Sequence, residues 1–244
     1  MLSFIIPPAK EMELPFSKSL ATYPQVSTPV VDILTSLSSD ELAQAYQITP
    51  PAAEREYHRW QAIAKQTASA YPALLLYHGL MYRQIAKEKL STELVDNVDK
   101  SLFIATSLYG IIPALMPIVP HRLDFQTRVT LANQQTLKNY WRPHYDSWAD
   151  SQETVVSLLS SEFEDVFSPN VRSKFIRLDF LEEVDGRLKK HATISKKARG
   201  AFINQVFLQD SHHLEDLKTI TADGFIYRPD LSTGQTLVYV RNKS

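Results

Sequence analysis

The apolar residues of this chain fall in short runs closed by proline, glycine or charge, and that punctuation limits what it can build. Leu2-Ser3-Phe4-Ile5-Ile6, stopped by Pro7-Pro8, reads as a buried strand. Ala73 to Tyr77, ending at His78-Gly79, reads the same way, as do Leu102 to Thr106 and Thr154 to Leu159. Ile111 to Pro120 contains Pro113, Pro117 and Pro120, so it is predicted to be a loop despite its hydrophobicity. His121 to Thr130 alternates enough to be extended. No run approaches the roughly 18 apolar residues of a membrane span, which excludes a transmembrane helix.

Helical signals lie between these runs. Thr28-Pro29 predicts a helix with Thr28 as N-cap and Val30, Ile33, Leu34 and Leu37 as its apolar stripe. Ser38 and Glu41 have capping-box spacing, as do Ser161 and Glu164. Thr49-Pro50 opens a helix with Ala53, Tyr57, Trp60 and Ala64 on one face. Further helices are expected over Met81 to Leu90, Thr92 to Ser101, Lys196 to Gln209 and His213 to Lys218. An aromatic-rich helix is expected from Thr136 to Ala149, kinked or started at Pro143. Residues 11–24 read as a loop. Lys174 to His191 predicts a hairpin turning near Asp185-Gly186, and Phe225 to Tyr227 pairs with Leu237 to Val240 across Ser232-Thr233-Gly234. No internal repeat, low-complexity tract or break in composition divides the chain. The expectation is a single α+β domain over residues 1–244, a mixed β-sheet core with surrounding helices and β-hairpins.

Hydrophobic residues make up 44% and charged residues 22%, so the chain can bury a sizeable core. A net charge of −1 means that any charged partner must be met by a local patch. There is no cysteine, which excludes disulfides, thiolate catalysis and cysteine-ligated metals. Met1 to Pro15 lacks the layout of a signal peptide, and a cytoplasmic location is expected.

The charge is uneven between Gly186 and Gly200, where Arg187, Lys189, Lys190, Lys196, Lys197 and Arg199 occur with no acid. Such a run is commonly a solvated face. Two details point to an anion instead. Lys196, Lys197 and Arg199 fall in the first turn of the predicted helix, where cations oppose the helix dipole and free N–H groups suit an anion. Arg199 also shares the apolar face with Phe202 and Val206, so it is either paired to a buried carboxylate or lines a cleft. Gly200 costs a helix about 1 kcal/mol against alanine and suits close backbone approach.

Several stretches carry a family resemblance. They are Pro7-Pro8-Ala9-Lys10, Tyr77-His78-Gly79-Leu80-Met81-Tyr82, Ser107-Leu108-Tyr109-Gly110 and Pro120-His121-Arg122-Leu123-Asp124-Phe125. Tyr140-Trp141, Ser160-Ser161-Glu162-Phe163, Lys196-Lys197-Ala198-Arg199-Gly200 and Asp223-Gly224-Phe225-Ile226-Tyr227 complete the set. In this order and spacing they resemble the YaaA family of peroxide stress proteins. The sequence is divergent: the family usually has serine at Pro7, lysine and aspartate at His78 and Leu80, acids at Met116 and Pro143, and lysine at Asp165. The resemblance implies a cytosolic protein that limits hydrogen peroxide damage, in a family associated with low reactive iron. It also implies a mixed α+β fold with a basic cleft and a proposed DNA-binding role involving a helix-hairpin-helix, whose nearest candidate here is Leu108-Tyr109-Gly110-Ile111.

The candidate anion-binding set is Lys10, Arg122, Lys196, Lys197, Arg199 and Gly200. Lys10 follows the first strand, at a common ligand position. Arg122 could instead pair with Asp124 or another acid. His212-His213 with Glu215 and Asp216 does not converge on a helix, no zinc-type spacing occurs, and no metal or cofactor is expected. Trp60, Trp141 and Trp148 read as packing rather than base-stacking residues. No Gly-rich phosphate loop, nucleophile elbow or paired-carboxylate motif is evident, so no catalytic residue is assigned. The leading expectation is a non-enzymatic protein binding DNA or another polyanion, with Glu162, Glu164, Asp179, Glu182 and Glu183 facing elsewhere. The alternative is an enzyme acting on a small phosphorylated or nucleotide substrate, with a general base from Glu162, His121 or His78. Direct iron sequestration would need a carboxylate–histidine set that the departures at family positions thin out.

Overall fold

The computed structural model describes residues 2–15, 24–86, 92–132 and 134–242. The chain starts in the sheet. Strand β1 (Leu2–Ile6) is buried along its whole length, and its alternation serves two cores. Leu2, Phe4 and Ile6 enter one apolar cluster and Ile5 enters the other. Pro7 and Pro8 offer no N–H to a ladder, so the chain leaves the sheet at that point. It next forms β2 (Glu11–Met12), a short stretch inside the predicted loop, of which residues 16–23 lie outside the described residues.

Helices α1 (Thr28–Ser36), α2 (Ser39–Tyr46) and α3 (Pro50–Ala64) follow. The N-cap of α1 is Ser27, one residue before the predicted Thr28. The capping box of α2 forms as expected: the Glu41 N–H donates to Ser38 Oγ and the Ser38 N–H donates to the Glu41 carboxylate. In α3, Ala53 and Trp60 are buried but Ala64 is exposed, and Ile63 takes its place in the core.

After β3 (Tyr71–Pro72), the predicted strand Ala73 to Tyr77 is instead the helical turn α4 (Ala73–Leu76), followed by β4 (Tyr77–His78). Four consecutive apolar residues, of which Ala73, Leu74 and Leu76 are buried and Leu75 half-buried, carry no periodicity that separates helix from strand. The helix expected from Met81 shows only a 3₁₀ turn at Tyr82–Gln84, and residues 87–90 lie outside the described residues. Helix α5 (Thr92–Ser101) leads into β5 (Leu102–Thr106).

The predicted proline loop forms β6 (Gly110–Pro113) and β7 (Pro117–Ile118). The first is an edge strand with proline at its end, and the second begins with proline, the positions where a missing N–H is tolerated. Leu108-Tyr109-Gly110-Ile111 is therefore the turn of a β-hairpin, not part of a helix-hairpin-helix. His121 to Thr130 is irregular with a turn at Phe125-Gln126. Helix α6 (Leu137–Asp150) runs unbroken through the exposed Pro143. Trp141 is buried in it, and Trp148 packs on Phe103.

Strand β8 (Thr154–Ser157) precedes α7 (Ser161–Glu164) and α8 (Pro169–Arg172). Ser160 holds the N-cap position of α7 without a side-chain cap bond, and no box forms because Glu164 accepts from Ser157 and Arg177 instead. Strands β9 (Ile176–Val184) and β10 (Arg187–Lys189) make the predicted hairpin. Helices α9 (Ala192–Leu208) and α10 (Leu214–Thr219) and strands β11 (Ile226–Tyr227) and β12 (Thr236–Asn242) complete the chain, the last two paired as predicted.

The result is an α+β fold around one mixed sheet of order β11-β12-β9-β8-β1-β5-β6, with β10 paired to β9. The neighbours from β12 to β5 are parallel, and β6, β10 and β11 are antiparallel additions. Helices cover both faces. Leu34, Leu42, Trp60, Trp141 and Tyr145 of α1–α3 and α6 pack on one. Val98 of α5 and Ala198, Phe202, Ile203 and Val206 of α9 pack on the other. From β1 the chain goes to β5 on one side, then returns to β8 on the other and continues outward to β9 and β12. The reversal lies between β1 and β8. In open parallel sheets such a switch point leaves a crevice at the carboxyl ends of the strands.

Candidate functional site

A cavity of about 290 Å³ opens at that place. The chain leaving β1 supplies Pro7 to Glu11, and Tyr82 fixes this exit by donating its hydroxyl to the Pro7 carbonyl at 2.8 Å. The segment His78 to Tyr82 forms a second wall. Helix α9 contributes Lys196 and Arg199, three residues apart and so on one helical face. Opposite in charge are Asp124, from the loop after Pro120, and Glu162, from the first turn of α7.

Asp124 is held from two sides. Its Oδ1 accepts from the Gln126 N–H at 3.0 Å and the Thr127 hydroxyl at 3.1 Å, while its Oδ2 pairs with Lys10 Nζ at 2.7 Å. Glu162 accepts the Phe125 N–H on Oε1 at 3.2 Å and Gln126 Nε2 on Oε2 at 3.1 Å. Burial, and then the neighbouring Asp124 charge, raise the Glu162 carboxyl above its ordinary range, with Lys10 acting the other way. His78 lines the cavity with Nδ1 3.0 Å from Glu13, and Glu11 pairs with Arg83.

Among the described residues Arg199 has no such partner. Its Nε is buried without a hydrogen bond. Burial lowers its affinity for a proton, partly offset by Asp179 and Glu164. Both of those acids are engaged elsewhere, Asp179 with Lys190 and Glu164 with Arg177 and Ser157. Of the two placements open to an inward-facing Arg199, the structure has the cleft.

Lys10, Lys196 and Arg199 therefore share one concavity. Arg122, Lys197 and Gly200 do not line it. The charge of Arg122 acts on Glu56 and Tyr46 instead, and Asp124 pairs with Lys10 rather than with Arg122. Lys197 is exposed on α9. Gly200 is buried against Met81, whose carbonyl oxygen would lie 2.0 Å from an added Cβ. Because α9 begins at Ala192, Lys196, Lys197 and Arg199 fall beyond its first turn. The expected clash with the dipole at the helix start therefore does not arise. The extra turn carries the half-buried Ile194 and buried Ser195, whose contacts lie outside the local pattern.

The acids are the main correction. Glu162 was expected to face elsewhere and no carboxylate pair was evident, yet Asp124 and Glu162 line the same cavity. They are far apart in sequence, and their only common signal is that both lie in stretches carrying the resemblance. Of the three general-base candidates, Glu162 and His78 reach the cavity. His121 is buried against Trp60 and Tyr109 with Nδ1 donating to the Val119 carbonyl at 2.8 Å. His212 and His213 give backbone N–H groups to Asp216 at the start of α10. Among the described residues no three His, Asp or Glu side chains converge as a metal site. No described helix is long and apolar enough to cross a membrane.

A family model described as peroxide stress protein YaaA matches residues 2–231. The chain belongs to this family. It is 46% identical to a UPF0246 protein of Streptococcus uberis over 244 residues, covering all of both chains. It is 43% identical over the same span to UPF0246 proteins of Streptococcus pyogenes serotypes M3 and M6. Set against the YaaA pattern given above, the cavity divides in two. Its basic residues Lys10, Lys196 and Arg199 lie in stretches that carry the resemblance, while Pro7, His78 and Leu80, read above as departures from the pattern, are also on its wall.

Proposed function

We propose that this YaaA-family chain serves in peroxide stress by binding a small anionic molecule in the cavity between β1, β8 and α9, in the cytoplasm. One observation carries the reading: Arg199 lies in the cavity wall with a buried Nε that has no hydrogen bond, while Asp179 and Glu164, the acids whose charges act on it, are bound to other cations. A buried cation without a counter-charge is costly, and a ligand anion removes that cost. Lys196 on the same helix face is placed to share the anion's charge, while Lys10 across the cavity is paired with Asp124. The volume suits a metabolite, not a nucleic acid strand. Were the ligand transformed, Glu162 and His78 are the lining groups able to transfer a proton.

Calorimetric titration with adenosine monophosphate and inorganic phosphate tests the reading. Replacing Arg199 with methionine should weaken binding roughly 10-fold or more, the loss of a charge-assisted hydrogen bond. Unchanged affinity would refute it.

A second reading, a DNA or other polyanion surface, is favoured by a different observation. Arg187, Lys189, Lys196 and Lys197 are all exposed, on β10 and the adjoining part of α9. Duplex DNA binding with a steep salt dependence, abolished by charge reversal at Arg187, Lys189 and Lys197 but retained on Arg199→Met, would support it.

A further inference from the structure

We infer that the cavity's ligand is bipolar, with an anionic group facing Lys196 and Arg199 and a cationic or N–H-rich group facing Glu162 and Asp124. This rests on the cavity being a small-anion site and names the class of molecule it takes.

The first argument is charge balance. The lining side chains Lys10, Lys196 and Arg199 are matched by Glu11, Asp124 and Glu162. A cavity built only for a phosphate would carry an excess of positive charge. Here a simple dianion brings surplus negative charge into a partly enclosed space beside two carboxylates. It must then either compete with Asp124 for Lys10 or suffer repulsion from Glu162.

The second argument is segregation. The cations of α9 stand on one element, and the two inner carboxylates stand on the loop after Pro120 and on α7. Lys10 does not serve Glu162 directly, because its ammonium is on Asp124 Oδ2. Each oxygen of Glu162 accepts one hydrogen bond, from Phe125 and from Gln126, and a carboxylate oxygen has room for a second. Both donors are neutral. Glu162 thus mirrors Arg199: among the described residues, each is a charged group in the wall without an opposite charge bonded to it. The raised Glu162 carboxyl fits the same picture, since burial and Asp124 act on it without a bonded cation.

A molecule with an ammonium and a phosphate a few bonds apart satisfies both ends. The volume of about 290 Å³ sets the scale at an amino-alkyl phosphate or a compound not much larger. Phosphoethanolamine and propyl phosphate are the discriminating probes, being nearly isosteric and differing by an ammonium in place of a methyl group.

Titration of the intact chain at pH 7 should show phosphoethanolamine binding roughly 10-fold tighter than propyl phosphate, the size expected for one charge-assisted hydrogen bond. Glu162→Gln should shrink that preference to within about 2-fold while Arg199→Met weakens both probes alike. Equal or tighter binding of propyl phosphate, with Arg199 still required, would overturn the bipolar ligand and leave the anion site standing. Failure of both probes to bind, or binding indifferent to Arg199→Met, would overturn both. The wild-type comparison of the two probes needs no variant, so a folding defect in either substitution does not obscure the outcome.

Discussion

Gly200 on α9 lies so close to Met81 that a Cβ added to it would stand 2.0 Å from the Met81 carbonyl oxygen. That oxygen is backbone and cannot rotate away. Gly200→Ala gains about 1 kcal/mol of helix propensity, and the overlap outweighs that gain. The expected result is a net loss of about 2–3 kcal/mol. Gly234→Ala, where nothing lies within 4 Å of the added atom, should change stability by less than about 0.5 kcal/mol. Urea unfolding of the two variants checks the contrast.

His121 is predicted to make the fold sensitive to mild acid. Burial among Trp60 and Tyr109 pushes its imidazole down to about 4, from an ordinary 6.5, with the Val119 hydrogen bond opposing. Between those values the unfolded chain takes up a proton that the folded chain refuses. Stability therefore falls as pH drops from 6.5 toward 4, by up to about 3 kcal/mol. Glu56 and Glu162 have raised carboxyls and act oppositely, losing stability as pH rises above their unfolded values. Comparing unfolding of the wild type and His121→Phe across pH 4–7 cancels those terms. The variant should show the shallower acid slope, and parallel curves would refute the assignment.

Arg199→Met should stabilise the ligand-free protein. The substitution keeps an apolar stem in the cavity wall and removes a desolvated cation with no bonded acid. A gain of about 0.5–2 kcal/mol is expected, raising Tm by roughly 2–6 °C. Differential scanning calorimetry measures it directly. A fall in Tm would mean that Arg199 supports the fold rather than a ligand.

The parts of this structure legible in the sequence are those decided by neighbours in the chain. The Ser38–Glu41 box is one. The hairpin at Asp185-Gly186 is another, where both residues have positive φ, at 51° and 69°, as a two-residue turn requires. Strand β1 was legible because prolines end it. What escaped was decided at a distance. Ala73–Leu76 is helical although its unbroken apolar run carries no helical period, with Ala73, Leu74 and Leu76 in the core. Gly110–Pro113 pairs because β5 offers an edge. For the site, Lys10, Lys196 and Arg199 stood out as cations in suggestive places. Asp124 and Glu162 looked like ordinary acids, because only the reversal between β1 and β8 brings them to one cavity.

Strand β12 occupies an interior position in the sheet, in register with β9 from Arg177 to Glu183. A chain cut before Thr236 would leave β9 with a bare run of seven hydrogen-bonding residues. Such an edge recruits other strands, including those of other molecules. Nicked or prematurely terminated copies are therefore expected to clump, so proteolysis near Gly234 would yield aggregate rather than a working fragment.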